Sequence, residues 1–86
     1  MVLKLLDARN NEINRKHVNW SNIEKFFLFF AKEMGVTHSI EIIDWNTNHP
    51  VGKSIAKFKN YKQLKHLVKY PANILKYIKN KCKYIP

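Results

Sequence analysis

The sequence predicts an α+β fold: a small two-layer domain with a mostly antiparallel sheet, a capped first helix and a Pro-interrupted basic C-terminal helix. Three observations predict it. Short apolar or alternating stretches at 2–6, 36–45 and 53–59 read as strands. Apolar residues at helical spacing run from Ile23 to Met34. A second helical pattern, rich in lysine, follows Asn60 and is interrupted at Pro71. A chain of 86 residues makes a single domain, 1–86, with one modest core between two packed layers.

Val2-Leu3-Lys4-Leu5-Leu6 is the pattern of a buried strand. Asp7 to Asn11 is turn-rich. Ile13 to Val18 reads either as a second strand, closing a hairpin about Asn10-Asn11, or as a loop. Asn14, Arg15 and Lys16 leave it little apolar character. Ser21 with Glu24 three residues on has the spacing of a capping box, and Gly35 is the expected stop of the helix that follows. Between them Ile23, Phe26, Phe27, Phe30, Ala31 and Met34 form a core-facing stripe. Leu28 and Phe29 lie off that stripe and offer a patch to a second copy or a protein partner.

Val36 to Trp45 reads as a strand in which Thr37, Ser39 and Glu41 alternate with His38, Ile40 and Ile42. Residues 46–50 are a loop by composition. In Lys53 to Lys59, Ala56 and Phe58 are expected to point inward, with Lys53, Lys57 and Lys59 on the other face. These two strands are expected to pair as a hairpin. Asn60 is placed to cap a helix beginning at Tyr61. Proline inside a helix removes a hydrogen bond and clashes with the preceding turn. Pro71 therefore divides the rest into two segments, roughly 61–69 and 72–83, with the proline at the first position of the second.

Charge is divided as sharply as the elements. All six acids precede Trp45, where six bases balance them, so the formal net charge of +10 belongs to the second half. From Trp45 onward there are ten lysines and no acid. Such a split points to a polyanionic partner. A lysine face can be plain solvation, but a merely solvated helix usually mixes signs, because opposite charges at i,i+4 add stability. On a continuous helical wheel Lys62, Lys65, Lys69, Lys76, Lys79 and Lys83 share an arc of about 100°. Tyr70, Tyr77 and Tyr84 run along its edge, and the apolar residues lie opposite.

The expected function is that of a small basic nucleic-acid-binding protein, non-catalytic and of low sequence specificity. Its candidate binding residues are Lys53, Lys57, Lys59, Lys62, Lys65, Lys69, Lys76, Lys79 and Lys83, with Tyr70, Tyr77 and Trp45 as stacking rings. RNA is preferred over DNA because exposed bases suit those rings. Lysine is a point charge without arginine's bidentate fork, which favours backbone contact over base reading. The alternative is a phage or mobile-element inhibitor or adaptor that binds a host protein, such as a defence nuclease or toxin, with or without RNA. Fourteen lysines against two arginines, with ten asparagines and nine isoleucines, have AT-rich codons and fit that provenance.

Other chemistries are weakly signalled. Gly52-Lys53-Ser54 resembles the end of a P-loop, but Thr47 stands where that motif needs glycine, and a strand pattern follows in place of a helix. His17, His38, His49 and His66 lack metal-ligand spacing, so no metal and no cofactor are expected. A small histidine-dependent nuclease would draw on His38, His49 and His66, beside or within the basic half. The lone Cys82 excludes an internal disulfide and suits a reducing, cytoplasmic setting. The apolar start is too short for a signal peptide, and no run is long enough to span a membrane.

Overall fold

In the computed structural model, which describes residues 1–45 and 50–82, the elements follow one another as two strands, a helix, two strands and a broken helix. Strands β1 (Val2–Leu6), β2 (Glu12–His17), β3 (Ser39–Asp44) and β4 (Lys53–Phe58) form one antiparallel sheet in the order β2-β1-β3-β4. Helices α1 (Ile23–Glu33), α2 (Tyr61–Lys69) and α3 (Ile74–Lys81) share one core with it, and a 3₁₀ turn, Pro71–Asn73, joins α2 to α3. The shortest dimension, 18 Å, accommodates one sheet and one helical layer.

Strand β2 forms despite its polar sequence because it is a sheet edge. Only its inner neighbour β1 needs to be apolar, and five of the six β2 residues are exposed. The hairpin turn is fixed at Asp7, whose carboxylate accepts from the Arg9 and Asn11 amides at 2.9 Å each. The Asn11 backbone bond is the main cause that holds this carboxyl below its ordinary value. Asn10 supplies the left-handed position, φ 62°.

The helical stripe packs as its spacing predicts except at Phe26, which is only partly buried and lines the outer side of the helix. Ile23, Phe27, Phe30, Ala31 and Met34 are buried against Leu3, Leu5, Ile40 and Ile42. The Ser21–Glu24 box is not seen among the described residues, Asn22 at the N-cap of α1 makes no side-chain cap bond, and a reciprocal pair instead closes the turn just before the helix. Asn19 Oδ1 accepts the Asn22 amide at 3.1 Å, while Asn22 Oδ1 accepts the Asn19 amide at 2.8 Å. That is the same reciprocal box two residues earlier, and Asn19 Oδ1 also takes the Ser21 amide and hydroxyl. A turn stabilised by the Ile23 amide bonding to the Asn19 carbonyl then leads into α1. Asparagine competes well for this role because its short amide both accepts and fits the non-helical cap backbone. The stop also differs. Met34 leaves the helix in an extended conformation, and Gly35 is not left-handed; its amide donates to His38 Nδ1 at 2.8 Å. That turn shortens the predicted strand at its start, so β3 begins at Ser39.

The β3–β4 hairpin forms, but a bulge interrupts it. Ile42 faces Ala56 and Ile43 faces Ser54, so Ile55 is the extra residue and is buried with the core. The bulge shifts the phase of everything before it. Lys57 and Ser54 share the uncovered face with Glu41, whereas Lys53 stands opposite the buried Asp44, in the phase of Ile40 and Ile42. The expectation of three lysines on one strand face therefore fails. Gly52 enters the strand at φ 78°, where a Cβ would lie 2.6 Å from Ile43 and 2.9 Å from the Trp45 ring.

Asn60 caps α2 as expected, its side chain accepting the Gln63 amide at 3.1 Å. Tyr70 (φ −130°, ψ 76°) breaks the helix immediately before Pro71. Among the described residues no helix is long and apolar enough to cross a membrane.

The cap makes a discriminating prediction. Asn19→Ala should lower unfolding free energy by about 1 kcal/mol in urea titrations, whereas Ser21→Ala and Glu24→Gln should each stay within about 0.5 kcal/mol. A larger loss for Glu24→Gln than for Asn19→Ala would contradict the observed cap.

Candidate nucleic-acid interface

The bases fall on two opposite faces of the domain. On the uncovered sheet face they are used internally. Glu12 takes Arg15 at 2.8 Å and Lys4 at 3.6 Å, and the Arg15 contact is the main cause that lowers the Glu12 pKa. Glu41 accepts the Ser54 hydroxyl at 2.8 Å and lies in register between Lys4 and Lys57. Lys57 Nζ reaches Asn10 Oδ1 at 2.7 Å, which ties β4 to the first hairpin turn. Lys59 follows the strand and lines a small polar pocket of about 300 Å³ with Asp7 and His38.

The helical layer is different. Helices α2 and α3 carry Lys62, Lys65, Lys69, Lys76, Lys79 and Lys81 and no acid, and among the described residues none of the six is in an ion pair. Leu64 and Leu67 turn one side of α2 inward, and Ile74 and Ile78 do the same for α3. By helical spacing Lys62 and Lys69 lie opposite the first pair, and Lys76 and Lys79 opposite the second. Because Tyr70 is non-helical, phase is lost at the break, and the single wheel becomes two basic plates.

Individual side chains within this set play different parts. Lys65 is held: its ammonium donates to the Ala31 and Lys32 carbonyls at 2.9 and 3.1 Å and rests 5.3 Å from the Tyr61 ring. It caps the C-terminus of α1, where a cation also meets the negative end of the helix dipole. Lys79 lies 5.7 Å from the half-buried Trp20 ring, and Lys69 lies 5.9 Å from Tyr70. Lys62, Lys76 and Lys81 are exposed. Lys83, Tyr84 and His49 lie outside the described residues.

The rings divide as well. Tyr70 is 58% exposed and leans on His66 at 5.0 Å, and Trp45 is 44% exposed beyond its contact with Gly52. Both present a face to solvent. Tyr77 is partly buried. Its ring meets Phe58 at 5.7 Å, and its hydroxyl is buried without a partner among the described residues, so burial pushes its pKa up. Packed against the edge of the core, it offers less ring surface for stacking than Tyr70. Cys82 is half-buried at the end of α3, and burial raises its thiol pKa too. Among the described residues no group of three His, Cys, Asp or Glu side chains is placed to hold a metal ion. His38 is occupied at Nδ1 by the Gly35 amide, and His17 is exposed on the edge strand.

The Leu28 and Phe29 patch noted in the sequence belongs to a larger basic groove that the sequence did not reveal. The outer side of α1 holds a shallow groove of about 710 Å³ lined by Phe26, Leu28 and Phe29 and by Lys16, Lys25 and Lys32. Phe29, Lys25 and Lys32 share that side by helical spacing, so part of the signal was present. Lys16 arrives only through the sheet, in register with Leu3. Comparison with known proteins adds nothing to the geometry: no family model, curated protein or solved structure matches the chain.

Two substitutions separate structural from ligand-facing groups. Lys65→Met should lose about 1 kcal/mol of stability by removing the α1 cap, while Lys62→Met should change it by less than about 0.5 kcal/mol. Tyr77→Phe should raise stability by about 1 kcal/mol, because it removes a buried hydroxyl that has no partner among the described residues. With the Tyr77 pKa raised in the folded state, the unfolded chain loses that proton first as pH climbs above about 10, so stability falls with pH there. Chemical denaturation across that range should show the fall in wild type and a smaller one in Tyr77→Phe.

Proposed function

We propose that the protein is a small, non-catalytic nucleic-acid-binding protein that prefers RNA to DNA and contacts phosphates with the outer face of its helical layer. The observation that carries this reading is the six acid-free lysines of α2 and α3, none of them ion-paired among the described residues. Glu12 and Glu41 interact on the opposite, uncovered face of the sheet. Lysines on a helical face offer charge without a base-reading fork, which supports low sequence specificity. The exposed Tyr70 beside Lys69 supports a preference for unpaired bases. Lys57 leaves the interface in this reading, because it shares the uncovered face with Glu41, and Lys59 goes with the pocket beside Asp7, whereas Lys53 stays on the helical side in the phase of Ile40 and Ile42. A cytoplasmic setting goes with it, and the single thiol of Cys82 suits one.

Anisotropy titrations with labelled RNA between about 50 and 200 mM salt test the proposal. Wild type should bind with a log–log salt slope of about −3 to −4, as expected when four or five phosphates are contacted on a single strand. The triple substitution Lys62→Gln, Lys69→Gln, Lys76→Gln should flatten the slope by about 2, while Lys57→Gln leaves it unchanged. Absence of binding to any RNA or DNA at about 50 mM salt would remove the proposal. Retention of an RNase-insensitive protein partner by the non-binding protein would then favour the inhibitor or adaptor reading.

A further inference from the structure

We propose that the groove over α1 is a stacking site for unpaired bases, so that the ligand is a single strand crossing from the α2–α3 lysines onto α1. This rests on the nucleic-acid reading and specifies its substrate. The groove joins apolar ring surface to positive charge at close range. Phe29 is 46% exposed, with its ring tilted 51° against the buried Phe30 at 6.1 Å. It is therefore supported from below and open above. Phe26 holds two ammonium groups at the groove wall: Lys16 at 5.8 Å and Lys25 at 5.7 Å from its ring. Lys32 lines the same groove. Glu24 is the one acid among the lining residues.

Charge complementarity selects the occupant. A ring platform beside three lysines matches a ligand that alternates flat apolar faces with phosphates, and a duplex keeps its base faces stacked inside. One lysine of each basic helix meets α1 near an end of the groove. Lys65 of α2 donates to the Ala31 and Lys32 carbonyls at one end. At the other, Lys79 of α3 lies over Trp20, next to Ser21 of the groove. These two contacts are the points at which a strand bound along α2 and α3 reaches α1.

The test compares a labelled 12-nucleotide oligo(U) with a 12-base-pair RNA duplex against wild type, Phe29→Ala, Phe29→Trp and the pair Lys25→Gln, Lys32→Gln. Phe29→Ala should weaken oligo(U) binding about tenfold, with the salt slope unchanged. Phe29→Trp should bind at least as tightly as wild type. The lysine pair should weaken binding and flatten the slope by about 1.4. Circular dichroism should show all variants folded, since each change lies at a partly or fully exposed position. If wild type binds but Phe29→Ala matches it on oligo(U), the groove inference fails and the α2–α3 interface stands. Tighter binding to the duplex than to oligo(U) also overturns it. So does a wild-type dimer in size-exclusion chromatography that Phe29→Ala dissociates, because the groove then belongs to a second copy. If wild type binds neither probe, the functional reading itself falls, and this inference with it.

Discussion

Phe58 is the side chain on which the two layers meet. It ends β4 fully buried, stands edge-on to Phe27 of α1 at 5.0 Å and lies 5.7 Å from Tyr77 of α3. One ring thus ties the last strand to the first helix and to the last. In so small a domain the helices have one apolar surface to share, and three of them must cover a single side of the sheet. Among the described residues no helix covers the other side, where Val2, Leu6 and Ile43 are nonetheless buried among the side chains of neighbouring strands. That asymmetry of layers governs the rest of the molecule.

Charge follows from it. The uncovered sheet face brings Lys4, Arg15 and Lys57 close together in register, and like charges on neighbouring strands are destabilising. Glu12 and Glu41 sit among them, with Glu12 bridging Arg15 and Lys4 and Glu41 lying between Lys4 and Lys57. The outward faces of α2 and α3 have no acid of their own. Their positive field is then partly structural and partly unspent. Lys65 closes the end of α1, whereas Lys62 and Lys76 project into solvent from separate plates on either side of Tyr70. The +10 charge is therefore less informative than its placement.

Most of the architecture was legible from local chemistry. The Ile23–Met34 stripe (apart from Phe26), the Asn60 cap and the division at Pro71 depend on interactions within a few residues, and each appears where spacing placed it. Ser21 with Glu24 had the right spacing for a cap but lost to Asn19 with Asn22, which has the same spacing. Two overlapping local solutions of similar strength are settled by how the chain leaves β2, and sequence spacing alone does not rank them. The interface was legible only in part. Tyr77 lies at the border between the basic and apolar sides of α3, and only the packing of that helix decides that its ring meets Phe58.

The sequence by itself determined the fold class, the element order and the confinement of excess positive charge to the second half of the chain. Period and punctuation carry those facts, and both are local. Only the tertiary structure decided which lysines act together. The Ile55 bulge and the two-sidedness of the sheet separate Lys57 from Lys62. The lost phase at Tyr70 divides α2 from α3. The packing of β2 beside α1 brings Lys16 to Phe26, ten residues away in sequence, and creates a groove no single segment contains. Surfaces are made by neighbours in space, and for this chain the neighbours are set by how one helical layer fits over one face of four strands.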